Sequence, residues 1–444
     1  MKNEQLITKM LDHLRLNQGH HEKLKRYYLG DHDILHSKTA KDPLKADMRA
    51  YFNYCRKMVQ NSVGYLLGKP VNYGSKTENK EFISNIDYYF SNWEHAHNIK
   101  LKIEASIHGY AYEANYINSE GDFECAAYSP LEMIVLHDGT IENKVSMAIR
   151  KYKVQFDETE YVEVWDDTFY SNYKLSGGKL LLLEQKRHRF SRCPVRELKN
   201  NDIKKSTFED IIKIIDMYNA IHANAANELV DHRNSYLVFT NCSVEFEDAK
   251  KMKENGIIIL PHEKAEVKWL TKDLHGTFVK DMLKQWQDEM YIQSNQVNLN
   301  ENFQSNTSGV SIRLKLQELE NQSAIAESHF EKVLKDRLKF FCEFLSLKKQ
   351  AEFDYKDVNV AFTRNVPVDE VAIAQMVSTL SGLVPHEDLL SRLPFIQNPS
   401  ASMQKLIKQH ETVKLHSANN MNTTAVPKQD ISDEEDQERL SNGL

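Results

Sequence analysis

Cysteine pairing is the first thing this chain lacks. Its five cysteines (Cys55, Cys125, Cys193, Cys242, Cys342) form an odd set without a CxxC spacing, which excludes a disulfide framework or a zinc knuckle. A reducing compartment is the expectation. There is no basic block either: 57 Lys and Arg stand against 64 Asp and Glu, net charge −7, so the surface of a protein that grips duplex DNA tightly is missing. Long apolar runs are absent as well. The longest, Leu180–Leu183 and Ile257–Leu260, are far below spanning length, and the opening residues MKNEQLITKMLDHLRLNQ carry charges where a signal core would be apolar. A soluble, unexported chain with no membrane contact is expected.

Catalytic signatures are missing too. The stretch SVGYLLGKPVNY (Ser62–Tyr73) imitates a phosphate loop, but three residues instead of four separate Gly64 from Gly68, and Pro70 follows Lys69 where a magnesium-binding hydroxyl is required. It also follows an amphipathic helix, expected over 48–67 and capped by Gly68, instead of a buried strand. His95 and His97 are two apart on a helix and do not chelate together; like His20 and His21 they read as surface. Asp166-Asp167 reads as a turn, and Tyr51, Phe52 and Tyr54 as core and interface packing. No enzyme activity, metal or cofactor is expected.

What the chain has is order. Helical periodicity covers about 4–15, 21–29 and 46–67, then two helices stopped by Gly109. From Tyr110 a β-rich lobe of about 80 residues follows: a hairpin turning at Asn118–Asp122, then a meander with a turn at Gly177-Gly178. Ser206 and Glu209 are spaced as a capping box before a helix over 207–232. Strands at 235–240 and 256–270 with a charged helical piece between them precede another helix from Thr277. Val297–Ser311, VNLNENFQSNTSGVS, is polar and nearly free of apolar residues. After it, apolar residues from Ile312 to Leu345 hold helical spacing long enough for a rod of ~50 Å. A strand over 353–363, short helices from Asp369 to about Gln409 and a polar acidic tail with SDEEDQER complete the chain.

Several stretches in this order resemble the portal proteins of tailed bacteriophages, of the type common in phages of Gram-positive bacteria. They are YYLGDHDI (Tyr27–Ile34), VGYLLGKPV (Val63–Val71), HGYAYEANYINSEG (His108–Gly121), YSPLEMIVLHD (Tyr128–Asp138), HRFSRCPVRELKNND (His188–Asp202), IIDMYN (Ile214–Asn219), the polar stretch with its long helix, and LSGLV (Leu380–Val384). The series covers roughly residues 25–410. Two departures stand out: Pro385-His386-Glu387 where such proteins often carry Ser-Glu-Thr, and Ser191-Arg192 in place of a common glycine.

The resemblance implies an α+β portal fold: a mixed α/β wing (1–205), stem helices (206–233 and 272–296), a small β-containing clip (234–271), a tunnel loop (297–309), a long wing helix with a returning strand (310–366), a helical crown (367–415) and a disordered acidic tail (416–444). It implies a homo-oligomer, a dodecameric ring at one capsid vertex of the virion, assembled in the host cytoplasm. Double-stranded DNA passes through without sequence specificity during packaging, retention and ejection. Further partners are the terminase large subunit, a head-completion or adaptor protein, and the major capsid and scaffolding proteins. A ring-forming tail or baseplate protein is the alternative.

A channel that lets DNA slide avoids tight phosphate contacts, so Asn298, Asn300, Asn302, Gln304, Asn306 and Thr307 are the expected DNA-facing residues, with Glu301 limiting attraction. Tyr236, Val238, Ile257, Ile259, Val267 and Trp269 are expected on the clip docking face, and Ile211, Ile215, Tyr218, Phe278, Met282 and Trp286 in packing between stem subunits.

Overall fold

The computed structural model describes residues 2–37, 46–232, 236–256, 258, 260, 262–270, 276–298, 316–348, 352–365, 370–390, 393, 402–403 and 405–409. Its first helix, α1 (Lys2–Leu29), is continuous where the periodicity predicts two. Burial at both ends explains this: Ile7 and Met10 pack in one apolar cluster, Leu24 and Tyr27 in another, which overrides the poor propensity of Gly19 between them.

The second helix starts late. α2 (Tyr54–Leu67) is capped by Asn53, whose side chain accepts from the Arg56 amide at 3.0 Å, while the Phe52 amide is held by Asn219 at 2.9 Å. Residues 46–53, expected as helix, are therefore not helical. Gly68 does end α2, but in right-handed geometry, and glycine is needed there because a Cβ would lie 2.4 Å from the Gly64 carbonyl oxygen. Strand β1 (Asn72–Ser75) follows, then α3 (Lys80–Phe90) and α4 (Glu94–His108).

The β lobe is two sheets. β2 (Tyr110–Ile117) pairs with β3 (Phe123–Tyr128) in the expected hairpin, and on its other side with β9 (Val195–Lys199), a strand the sequence reading did not mark. β4 (Met133–His137), β5 (Val145–Lys153), β6 (Glu160–Trp165), β7 (Phe169–Ser176) and β8 (Lys179–Arg187) form a five-stranded antiparallel meander in sequence order. β8 closes the sheet with Leu181, Leu182 and Leu183 each about half exposed.

After a 3₁₀ turn at Glu209–Ile211 come α5 (Ile212–His232), β10 (Tyr236–Thr240), α6 (Phe246–Asn255), β11 (Glu266–Leu270) and α7 (Gly276–Gln293). Only half of the expected capping box forms: the Ser206 amide donates to Glu209 at 3.2 Å, but the Ser206 hydroxyl accepts from the Phe208 amide at 3.4 Å and not from that of Glu209. Then α8 (Gln317–Leu347) runs 31 residues, ~47 Å, and β12 (Val358–Ala361) returns antiparallel to β1. The buried face of α8 (Phe330, Val333, Leu334, Leu338, Phe341, Phe344) forms one cluster with Phe82, Ile86 and Phe90 of α3, Leu101 of α4 and Phe123 of β3. The long helix is thus the core of its unit.

Two compact units divide the chain, residues 1–366 and 367–444. The second contains α9 (Glu370–Leu380), a bridge between Ser381 and Val384, and α10 (His386–Leu390). Among the described residues no helix is long and apolar enough to cross a membrane. The five cysteines are free; burial pushes the thiols of Cys55, Cys125, Cys193 and Cys342 upward, those of Cys193 and Cys342 to about 12.

Candidate channel and docking elements

The N-terminal half of α5 and the C-terminal half of α7 share one apolar cluster, which makes the two helices an antiparallel pair. Ile211 and Ile215 are fully buried and Tyr218 nearly so, packed with Cys55, Met58 and Val59 of α2 and with Met290 and Tyr291 of α7. These three side chains are therefore occupied inside one protomer. The outer halves differ. Leu229 and Val230 on α5 are 62% and 41% exposed, Phe278 on α7 is 63% exposed, and Met282 and Trp286 are half-buried. The apolar surface of the pair thus runs on past the part that its own chain covers.

At the far end of the pair, β10 and β11 form a two-stranded antiparallel sheet, from Tyr236 opposite Leu270 to Thr240 opposite Glu266. Val238 stands opposite Lys268 and is 39% exposed; Val267, opposite Phe239, is half-buried; Trp269 lies opposite Leu237. Of the expected strand over 256–270, residues 266–270 form β11, while Gly256 ends α6 in left-handed geometry and residues 262–264 turn. Ile257 and Ile259 lie outside the described residues. At the other end of α7, Asn298 is half-buried; Asn300, Glu301, Asn302, Gln304, Asn306 and Thr307 lie outside the described residues. The flanks of this segment are fixed to each other: Gln296 donates to Gln322 of α8 at 3.0 Å. Near the start of α8, Arg364 grips Glu320 at 2.9 Å and Glu327 at 2.6 Å, and the Tyr65 hydroxyl donates to Glu320 at 2.6 Å.

One polar centre escaped sequence reasoning. Arg337, fully buried on α8, donates to Glu113 of β2 at 2.5 and 3.1 Å, to Glu94 of α4 at 2.9 Å and to Asn98 at 2.8 Å. His97 bonds the same Glu113 at 2.8 Å with its side chain only 8% exposed, so the expected surface histidine is a core residue. Tyr73 of β1 reaches Glu94 through its hydroxyl. Burial pushes Glu113 upward, but Arg337 and the bond from His97 outweigh it and hold the carboxyl near 2. At Glu94 burial prevails over Arg337 and raises it. His97, Glu113 and Cys125 also converge as metal ligands do, within 4.8 Å. Arg337 supplies the cation there, and Cys125 is kept a thiol by burial, so the group reads as structural. The signal was legible: Arg337 sits on the apolar stripe of α8 between Leu334 and Phe341.

His21 is likewise buried and not on the surface. It bonds the Tyr110 hydroxyl at 3.2 Å and packs on the His108 ring; burial, then the nearby His108, lowers it to about 3. Lys102, also buried, bonds Asn200 at 2.7 Å and is lowered to about 7 by burial. Asp166 does make the expected turn, accepting from the Thr168 and Phe169 amides at 2.7 and 2.6 Å.

Comparison with known proteins shows the family of the chain. The family model described as "Phage portal protein, SPP1 Gp6-like" matches residues 7–414. The chain belongs to this family of phage portal proteins. Its relatives include the portal protein of Clostridium phage phiCD119, 25% identical over 407 residues that cover 84% of this chain and 89% of that one. Another is the portal protein of Bacillus phage SPP1, 22% identical over 414 residues, covering 86% and 82%.

Proposed function

We propose that the chain assembles into a ring, of twelve copies in the capsid, that forms the DNA channel at one vertex of the virion. The observation that carries this reading is the antiparallel α5–α7 pair, with a small two-stranded insert at one end and a polar, charge-poor segment leading into α8 at the other. Under it, 1–205 and 310–366 are the wing, 206–233 and 272–296 the stem, 234–271 the clip, 297–309 the tunnel loop, 367–415 the crown and 416–444 an acidic tail. A two-stranded sheet is marginal by itself, so strands from neighbouring copies would complete the clip and present Tyr236, Val238, Ile257, Ile259, Val267 and Trp269 to the terminase large subunit, then to a head-completion protein. Phe278, Met282 and Trp286 would pack between stems, joined by exposed Leu229; Ile211, Ile215 and Tyr218 would act from inside the protomer. Major capsid and scaffolding proteins would surround the ring, assembled in the host cytoplasm.

The test is native mass measurement with negative-stain microscopy on the purified chain and on the chain assembled with scaffolding protein. A ring of about a dozen copies with a hole of ~20 Å or more, wide enough for a duplex, is expected in one of the two. Monomers in both preparations would remove the reading.

The tunnel loop carries its own expectation. Neutral Asn298, Asn300, Asn302, Gln304, Asn306 and Thr307, with Glu301, would let DNA pass with short-lived hydrogen bonds. Changing Asn300, Asn302 and Asn306 to Lys adds phosphate contacts and counterion release, so packaging velocity should drop at low salt and recover as salt rises. Wild-type velocity at every salt concentration would sink the assignment.

A further inference from the structure

Between the two sheets of the β lobe lies a cleft of about 500 Å³ that none of the elements above uses. Its walls come from β2 and β3 on one side and from β6, β7 and the end of β8 on the other. The interior is aromatic. Trp165 lies between Tyr128 and Tyr170, with ring centres 6.4 and 5.5 Å away.

The lining also contains three cations within four positions, Lys186, Arg187 and Arg189, all exposed. The one carboxylate in the wall is already occupied: Glu163 accepts from Arg150 at 3.0 Å and from the Tyr170 hydroxyl at 2.8 Å. Lys186 has Glu184 at 3.5 Å and rests over the Tyr170 ring. Arg187 lies 6.0 Å from the Phe169 ring centre, and among the described residues neither it nor Arg189 has a carboxylate partner. Arg189 is held at φ +70°, a backbone conformation that costs a non-glycine residue about 1–2 kcal/mol. Its neighbour His188 bonds the Asp166 carbonyl at 2.9 Å and accepts the Phe190 amide at 3.2 Å, which ties down the turn that carries Arg189.

An apolar interior beside unpaired guanidinium groups matches one kind of ligand. Carboxylates pair with guanidinium forks through two parallel hydrogen bonds, and an aromatic pocket takes a large side chain. We propose that this cleft binds a short acidic peptide segment of a partner protein. One aromatic or aliphatic side chain enters between the sheets, and flanking carboxylates pair with Arg187, Arg189 and Lys186. Duplex DNA fits poorly, because a rod ~20 Å across cannot enter a cleft of this size and would touch the rim only.

The test uses the full chain and an acetylated hexapeptide with two glutamates on each side of a Leu-Phe pair, followed by calorimetry. Its glutamine counterpart, a duplex oligonucleotide and the variant R187E/R189E are the comparisons. Saturable binding of the acidic peptide is expected, at least tenfold weaker for the glutamine peptide and for R187E/R189E, whose thermal midpoint should match the parent because both side chains are exposed. Trp165 emission should change on binding and stay unchanged with the variant. Absence of saturable binding up to about 1 mM overturns the proposal. So does equal affinity for the glutamine peptide or for R187E/R189E, and displacement by the duplex at equal concentration would reveal a general polyanion site instead.

Discussion

Replacing Arg337 with Met should lower the stability of the 1–366 unit by about 3–5 kcal/mol, one of the largest effects expected of any single substitution in this chain. The charge lies where α8, α4 and β2 meet, and both of its carboxylate partners are buried. Removing the guanidinium leaves buried Glu113 with only the His97 bond to offset its burial. The double variant R337M/E113Q should therefore be more stable than R337M by about 1–3 kcal/mol, since the partner's charge is removed as well. Denaturant midpoints followed by near-ultraviolet circular dichroism measure both. A loss below about 1 kcal/mol for R337M would mean that packing of the long helix, and not this ionic centre, holds the unit together.

The same centre sets an acid limit. Glu113 is held near 2 in the folded chain against an ordinary value of 4.5, so the unfolded chain binds a proton first as the pH falls. The stabilisation is complete above about pH 4.5 and is lost progressively towards pH 2. In R337M this loss should shrink, because only His97 is then left to oppose the burial that raises the carboxyl.

Gly109→Ala should cost about 3 kcal/mol or more, from two sources. The residue has φ +86°, which an alanine adopts at about 1–2 kcal/mol, and its Cβ would lie 2.0 Å from the Lys204 carbonyl oxygen. The loop that collides is not free to retreat. The Asn200 amide donates to the Gly109 carbonyl at 2.9 Å, the Thr207 amide to Ser106 at 2.9 Å, and the Asn200 side chain to Lys205 at 3.0 Å. Gly121→Ala provides the control: its φ is +85°, yet nothing lies within 4 Å of a new Cβ, so only the backbone cost of about 1–2 kcal/mol applies. Thermal midpoints should fall clearly further for G109A than for G121A. Equal shifts would show that the 200–207 loop yields, and that close approach at this corner adds nothing.

Most element types were legible because local chemistry and burial agreed. Gly177 and Gly178 turn a hairpin with positive φ at both positions, Ser206 and Glu209 meet ahead of α5, and the stripe on α8 marks a buried rod. The failures came where distant residues decide. Asn53 and Asn219 stop α2 from starting at 48, and burial at two separate clusters carries α1 across Gly19. β9 is short, follows Cys193-Pro194 and is recruited by β2, a partner some 80 residues earlier. His21 and His97 looked like surface residues because periodicity reports a face without saying what covers it; Tyr110, His108 and Glu113 cover them. Of the expected site residues, Ile211, Ile215 and Tyr218 were recognisable as apolar stripe, but a stripe does not tell an intramolecular neighbour from a second copy.

The burial of the thiols bears on chemistry performed at the bench. Burial pushes the thiols of Cys55, Cys125, Cys193 and Cys342 up and keeps them protonated at neutral pH, and all four pack in or against the apolar clusters, while among the described residues half-buried Cys242, just past the end of β10, stands outside them. A maleimide dye therefore has one productive target in the native sequence, next to the two-stranded insert, and bleaching steps counted on single particles would give the number of chains without any engineered handle.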